Sequence, residues 1–145
     1  MDVFGDLSEW GVALHKLEEL KKAKALDEHQ HGMARVLRYR ENPRLTWAVL
    51  GAAKEVSRAT DALIAEVLAI LVSRNSIIPH RVLAAEALGH LIPRRIAGSQ
   101  GVKLDVEFVI QTMASILKSP EPPVVALAVD HALQQIRGPR RGGRR

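Results

Sequence analysis

The residues with chemical potential in this chain are few and scattered. Asp27, Glu28, His29 and His31 place two imidazoles and two carboxylates within five residues, a set one can imagine around a divalent cation. Histidine pairs that hold a metal on a helix favour spacings of three or four, and no further histidine lies near in sequence. The cluster therefore reads as a solvated interhelical turn, and no metal is expected. His15, His80, His90 and His131 fall on separate segments and read as surface or boundary residues. Glu66 sits among apolar neighbours in residues 62–72. Burial would raise its pKa, while the plainer reading is a carboxylate reaching solvent from one helix edge. The chain has no Gly-rich phosphate loop, no Gly-x-Ser-x-Gly elbow and no carboxylate pair in a polar cleft motif. Without cysteine it has no thiol nucleophile, disulfide or cysteine metal site. Neither catalysis nor a cofactor is expected.

Binding chemistry is better represented, and it emerges from the elements that carry it. Apolar residues recur at spacings of three and four along nearly the whole chain, and no strand-length stretch alternates strictly. This predicts an all-α protein. Asp6 and Glu9 resemble a capping box ahead of a helix ending near residues 25–28, and Gly32 marks a break before a short helix with Met33, Val36 and Leu37. Asn42-Pro43 is a strong start signal, because Asn caps free amides and Pro at the first helical position loses no intrahelical bond. Helices are expected over 43–56, from the Thr60-Asp61 cap through Ser73, over 79–92, 104–118 and 123–136, with a loop over 93–102.

Three of these helices open on proline, at Pro43, Pro79 and Pro123, 36 and 44 residues apart. At offsets 2, 5, 6, 9 and 13 they place Leu45, Ala48, Val49, Ala52 and Val56; Arg81, Ala84, Ala85, Leu88 and Ile92; Val125, Ala128, Val129, Ala132 and Ile136. At about 100° per residue these positions share one arc, and only Arg81 departs from apolar character. Offset 4 lies opposite that arc and holds Trp47, Leu83 and Leu127. Three large apolar residues in register on the outer side form a candidate protein-binding ridge, with Leu50 beside Trp47 and Lys54, Glu86, His90 and Gln134 as a polar rim. The alternative is that offset 4 simply meets a neighbouring helix.

The stretch Pro79-His-Arg-Val-Leu-Ala-Ala-Glu-Ala-Leu-Gly89 resembles the first helix of a HEAT repeat, its alanines, leucine and glycine in register. Arg81 and Val82 stand in the reverse order from that pattern, which puts the family's arginine ladder between repeats in question. The resemblance covers residues 42–136. It implies a short right-handed α-solenoid of HEAT-like helical hairpins, about six to seven helices, in a single domain over 1–136. Residues 1–41 would form an N-terminal helix pair acting as a cap, 42–136 the repeats, and 137–145 a disordered Arg/Gly-rich tail. HEAT-like arrays usually serve as binding scaffolds, so the resemblance implies an adaptor or assembly subunit.

The 145 residues carry 21 Lys and Arg against 16 Asp and Glu, a formal net charge of +5. Five arginines, Arg137, Arg140, Arg141, Arg144 and Arg145, lie in the last nine residues, and without them 16 basic residues face 16 acidic ones. The body is formally neutral. A nucleic-acid reading rests on that tail with Arg35, Arg38, Arg40, Arg44, Arg94 and Arg95 along one edge, against an aromatic content of only 3%. No apolar run approaches the roughly twenty residues of a membrane span. The acidic start Met1-Asp2 through Asp6 does not resemble a signal peptide, and a soluble, cytoplasmic protein is expected. Helices apolar around most of their circumference, such as 61–72, call for burial by neighbours, so a protein partner or homo-oligomer is expected.

Overall fold

The computed structural model describes residues 2–98 and 106–137. Seven α-helices make up the described chain: α1 (Trp10–Ala23), α2 (Gln30–Arg38), α3 (Pro43–Ala53), α4 (Asp61–Val72), α5 (Ile78–Gly98), α6 (Val106–Ile116) and α7 (Pro123–Arg137), with a 3-10 turn at Leu26–His29 and no strand among the described residues.

Local chemistry sets the helix starts. Asn42 Oδ1 accepts from the amides of Arg44 and Leu45, at 3.0 and 3.2 Å, and Pro43 follows at the first position of α3. Thr60 Oγ1 accepts from Leu63 N and caps α4. The expected capping box before α1 does not form. Asp6 instead accepts from the amide and hydroxyl of Ser8, and Glu9 precedes the helix without a side-chain cap. At the other end Lys24 adopts φ 57°, so that Ala25 N reaches Leu20 O and closes α1.

Two expectations about breaks are corrected. Gly32 lies inside α2 rather than before it, because its bare face is filled from outside: a Cβ there would stand 2.7 Å from Phe4 Cδ2. The glycine admits a ring rather than a turn. Likewise α5 does not stop at Ile92 but continues through Pro93 to Gly98. Proline costs a helix one hydrogen bond and crowds the preceding turn. Here the next two residues anchor the far side: Arg94 Nη1 donates to the carbonyls of Lys54 and Val56, and Arg95 to the carbonyl of Ala59 and the carboxylate of Asp61. Residues 99–105, the rest of the expected loop and the expected start of α6, lie outside the described residues.

The repeated arc is the inward face. Of its fifteen positions fourteen are buried and Ala48 is half-buried, so the shared offsets pick out core residues on α3, α5 and α7, with Val56 buried just beyond α3, which ends at Ala53 and not at the expected residue 56. Successive odd-numbered helices touch, α1 with α3, α3 with α5 and α5 with α7, while α2 meets α3 and α4, α4 meets α5 and α6 meets α7. Helix α5 approaches α7 closely at Gly89, where a Cβ would lie 3.2 Å from Ala132 Cα.

Candidate interaction surface

With Leu45, Val49 and Ala52 turned inward, Trp47 emerges on the other side, 51% exposed. Leu127, at the same offset on α7, is 55% exposed. Leu83 on α5 is half-buried and packs against the core, so the middle member of the ridge is recessed. Leu50 is fully buried, which corrects its assignment to the surface. Helix α3 is touched by α1, α2 and α5, and a helix so surrounded has little free circumference.

Three contacts string the amino ends of the odd-numbered helices side by side. The Arg44 guanidinium of α3 stacks 5.6 Å from the centre of the Trp10 ring, at the start of α1. Trp47 lies 6.4 Å, centroid to centroid, from the tilted ring of His80 near the start of α5, and His80 Nε2 is 3.1 Å from the carbonyl oxygen of Pro43. Arg81 then reaches Glu121, just before α7, with 2.9 Å between Nη1 and Oε1. Along this edge are most of the exposed large apolar residues: Trp10, Trp47, Ile77 and Ile78, then Val124 and Leu127. The sequence pattern missed Ile77, Ile78 and Val124, because they stand at helix starts outside the periodic offsets, while Trp10, whose spacing with Leu7, Leu14 and Leu17 puts it on one apolar helix face, is 36% exposed. The rim residues are mostly paired, Lys54 with Glu86 and Gln134 with Asp130. Burial, together with the nearby charges of Arg94 and Lys54, lowers the pKa of His90.

The arginines of the body divide sharply. Arg35 binds both carboxylate oxygens of Asp2, at 2.6 and 2.8 Å, and the carbonyl of Gly5. That hydrogen bonding holds the Asp2 carboxyl below its ordinary pKa and raises that of Arg35. Arg38 pairs with Glu66 at 3.0 Å, so the Glu66 carboxylate is neither isolated in the core nor free in solvent. Arg94 and Arg95 hold the turn before α4, as described above. All four are thus engaged within the fold. Arg40 and Arg44 differ: Arg40 Nε donates to Leu37 O, Arg44 stacks on Trp10, and neither forms an ion pair among the described residues. Arg137 is exposed at the end of α7, while Arg140, Arg141, Arg144 and Arg145 lie outside the described residues.

Arg81, the one polar residue of the inward arc, is buried as a tie, with only its Nη2 left without a hydrogen-bond partner. Its Nε donates to Leu71 O of α4 at 2.8 Å while Nη1 binds Glu121, so one side chain joins α4, α5 and the segment leading into α7. Hydrogen bonding from Arg81, then the charge of Arg74, keeps the Glu121 carboxyl below its usual pKa.

His29 is half-buried and His31 exposed, and among the described residues no group of three His, Cys, Asp or Glu is placed to hold a metal ion. No described helix is long and apolar enough to cross a membrane. The chain matches no family model, no curated protein and no solved structure.

Proposed function

We propose that the protein is a non-enzymatic interaction module, a short HEAT-like α-solenoid that binds a partner protein, or a second copy of itself, along the amino ends of α1, α3, α5 and α7. The observation carrying this reading is the exposure of Trp47 and Leu127 at one repeat offset, on an edge that also presents Trp10, Ile77, Ile78 and Val124. Large apolar side chains gathered on one edge with unpaired arginines among them have the makeup of a binding hot spot, where Trp and Arg are enriched. The solenoid reading rests on the repeated inward arc and on the succession of contacts between odd-numbered helices.

The alternative, a nucleic-acid accessory protein, is weakened at Arg35, Arg94 and Arg95, whose guanidinium groups hold the fold, and less so at Arg38, which is half exposed and paired with Glu66 at the surface. It keeps Arg40, Arg44 and the basic tail. The two readings separate on salt. Phosphate-driven binding weakens steeply with ionic strength and needs the tail, whereas an apolar contact survives both moderate salt and removal of residues 138–145. Trp47→Glu and Leu127→Glu are the informative variants, because both sites are exposed. Retained partner binding by both variants, with helicity intact, rejects the proposal.

A further inference from the structure

A cleft of about 120 Å³ opens where α3 and α5 begin, lined among others by Arg40, Asn75, Ser76, His80, Ile70 and Ile77. Its polar lining is rich in donors. The Ser76 hydroxyl oxygen is buried and has no hydrogen-bond partner. Arg40 brings a guanidinium whose Nε alone is occupied, by Leu37 O, and it has no ion pair among the described residues. No acidic residue stands in the first turn of α5, and the amides of His80 and Arg81 are already bonded to the Ile77 carbonyl, so the positive end of the helix dipole carries no anionic side chain. His80 donates from Nε2 to the Pro43 carbonyl in its neutral form, and burial favours that form. A guanidinium without an ion pair among the described residues and an unsatisfied hydroxyl match a group with a single negative charge and two acceptor oxygens.

We propose that the cleft receives a side-chain carboxylate from the partner, the adjoining apolar residue of that segment packing on Trp47 and Ile77. This rests on the protein-binding reading above and adds its specificity: an acidic residue flanked by an apolar one. Continuity supports a protein segment over a free carboxylate. Ile77 both lines the cleft and is half exposed, and Trp47, on the outer edge, contacts the cleft residue His80. The chain's own tail is an unsuitable occupant, since residues 137–145 carry five arginines and no acid.

The test is an NMR titration of the full, isotopically labelled chain with acetyl-Leu-Glu-Leu-amide, its Gln counterpart, propionate and inorganic phosphate. The Glu peptide is expected to shift the Ser76 amide, the Arg40 Nε–H and the Trp47 indole N–H together and saturably. The Gln peptide should bind at least fivefold more weakly, as should the Glu peptide to Arg40→Gln and Ser76→Ala chains of unchanged circular dichroism. Arg58→Gln, an exposed arginine outside the cleft, should leave binding unchanged. Equal binding of the Glu and Gln peptides overturns the proposal, as does propionate or phosphate binding as tightly as the Glu peptide, which would mark a site for a free anion. If the Glu peptide fails while Trp47→Glu still abolishes partner binding, the cleft assignment falls and the wider reading stands.

Discussion

Arg81 donates to Glu121 across 2.9 Å with the two side chains only 4% and 6% exposed, and this pair joins two helix amino ends forty residues apart in the chain. Removing one member of a buried pair leaves the other charge uncompensated, which costs far more than a surface pair is worth. Glu121→Gln should therefore lower stability by about 3 kcal/mol, measured as a shifted urea midpoint at pH 7. The pH dependence has a fixed sign. Because the carboxyl is held below its ordinary value of 4.5, its contribution is complete above pH 4.5 and is lost as pH falls through the lower folded-state value. The Gln variant should lack this part of the acid sensitivity.

His80 gives a second, separate pH response. Burial lowers its pKa, the Pro43 carbonyl opposes that shift and the charge of Arg40 adds to it. The unfolded chain thus binds the proton more readily, so the neutral ring's contribution is full above pH 6.5 and declines as pH drops from 6.5 toward the folded-state value. His90 is shifted in the same direction. His80→Gln should flatten, without abolishing, the fall in urea midpoint between pH 7.5 and 5.5. In a Trp10→Phe background the fluorescence of Trp47, whose ring adjoins His80, should follow the same titration.

Two helical glycines should respond differently to alanine. At Gly51 an added Cβ meets nothing within 4 Å, so Gly51→Ala should raise stability by roughly 0.5–1 kcal/mol through helix propensity. At Gly89 the Cβ would stand 2.6 Å from Gln135 Oε1, which can swing away, and 3.2 Å from the backbone of Ala132, which cannot do so cheaply. Gly89→Ala should show no such gain, and Gly89→Val should lose about 2–3 kcal/mol as α5 and α7 are forced apart. Thermal or chemical denaturation of the three variants checks this.

The N-terminal segment should depend on a single arginine. Arg35 holds Asp2 with two nitrogens and Gly5 O with one of them, while Phe4 sits on the bare face of Gly32. Lysine cannot reproduce a bidentate fork. Arg35→Lys should cost about 1–2 kcal/mol and release amide protection at residues 4–7, read by hydrogen exchange.

What the sequence made legible was local or periodic. The caps at Asn42 and Thr60 depend on neighbours two and three residues away, and the inward arc depends on helical period alone, so both could be read from the chain. Gly32, Gly89 and Pro93 could not, because each is decided by what packs against it: Phe4, Ala132 and the carbonyls that hold Arg94 and Arg95. The same limit governs the candidate site. Helical phase alone brought Trp47 and Leu127 outward, yet Leu50 is covered by the neighbours of α3, and the outward Ile77, Ile78 and Val124 at the helix starts fall outside the repeat offsets. Charge was least legible of all, since a count of arginines does not reveal that Arg35, Arg38, Arg81, Arg94 and Arg95 each have partners within the fold, Arg38 and Arg94 doing so at the surface.

The central claim, that the edge carrying Trp47 and Leu127 holds a protein partner, is tested most directly by quantitative affinity capture from the source cells. Wild type, Trp47→Glu/Leu127→Glu and an Ala62→Glu control on α4 are compared at low and moderate salt, alongside sedimentation of the purified chains to detect self-association. The account predicts that one protein partner, or the self-associated species, persists at moderate salt and in the control and falls more than tenfold in the double variant. Undiminished binding by a double variant of native helicity would contradict it, as would captured material consisting only of nucleic acid that salt releases.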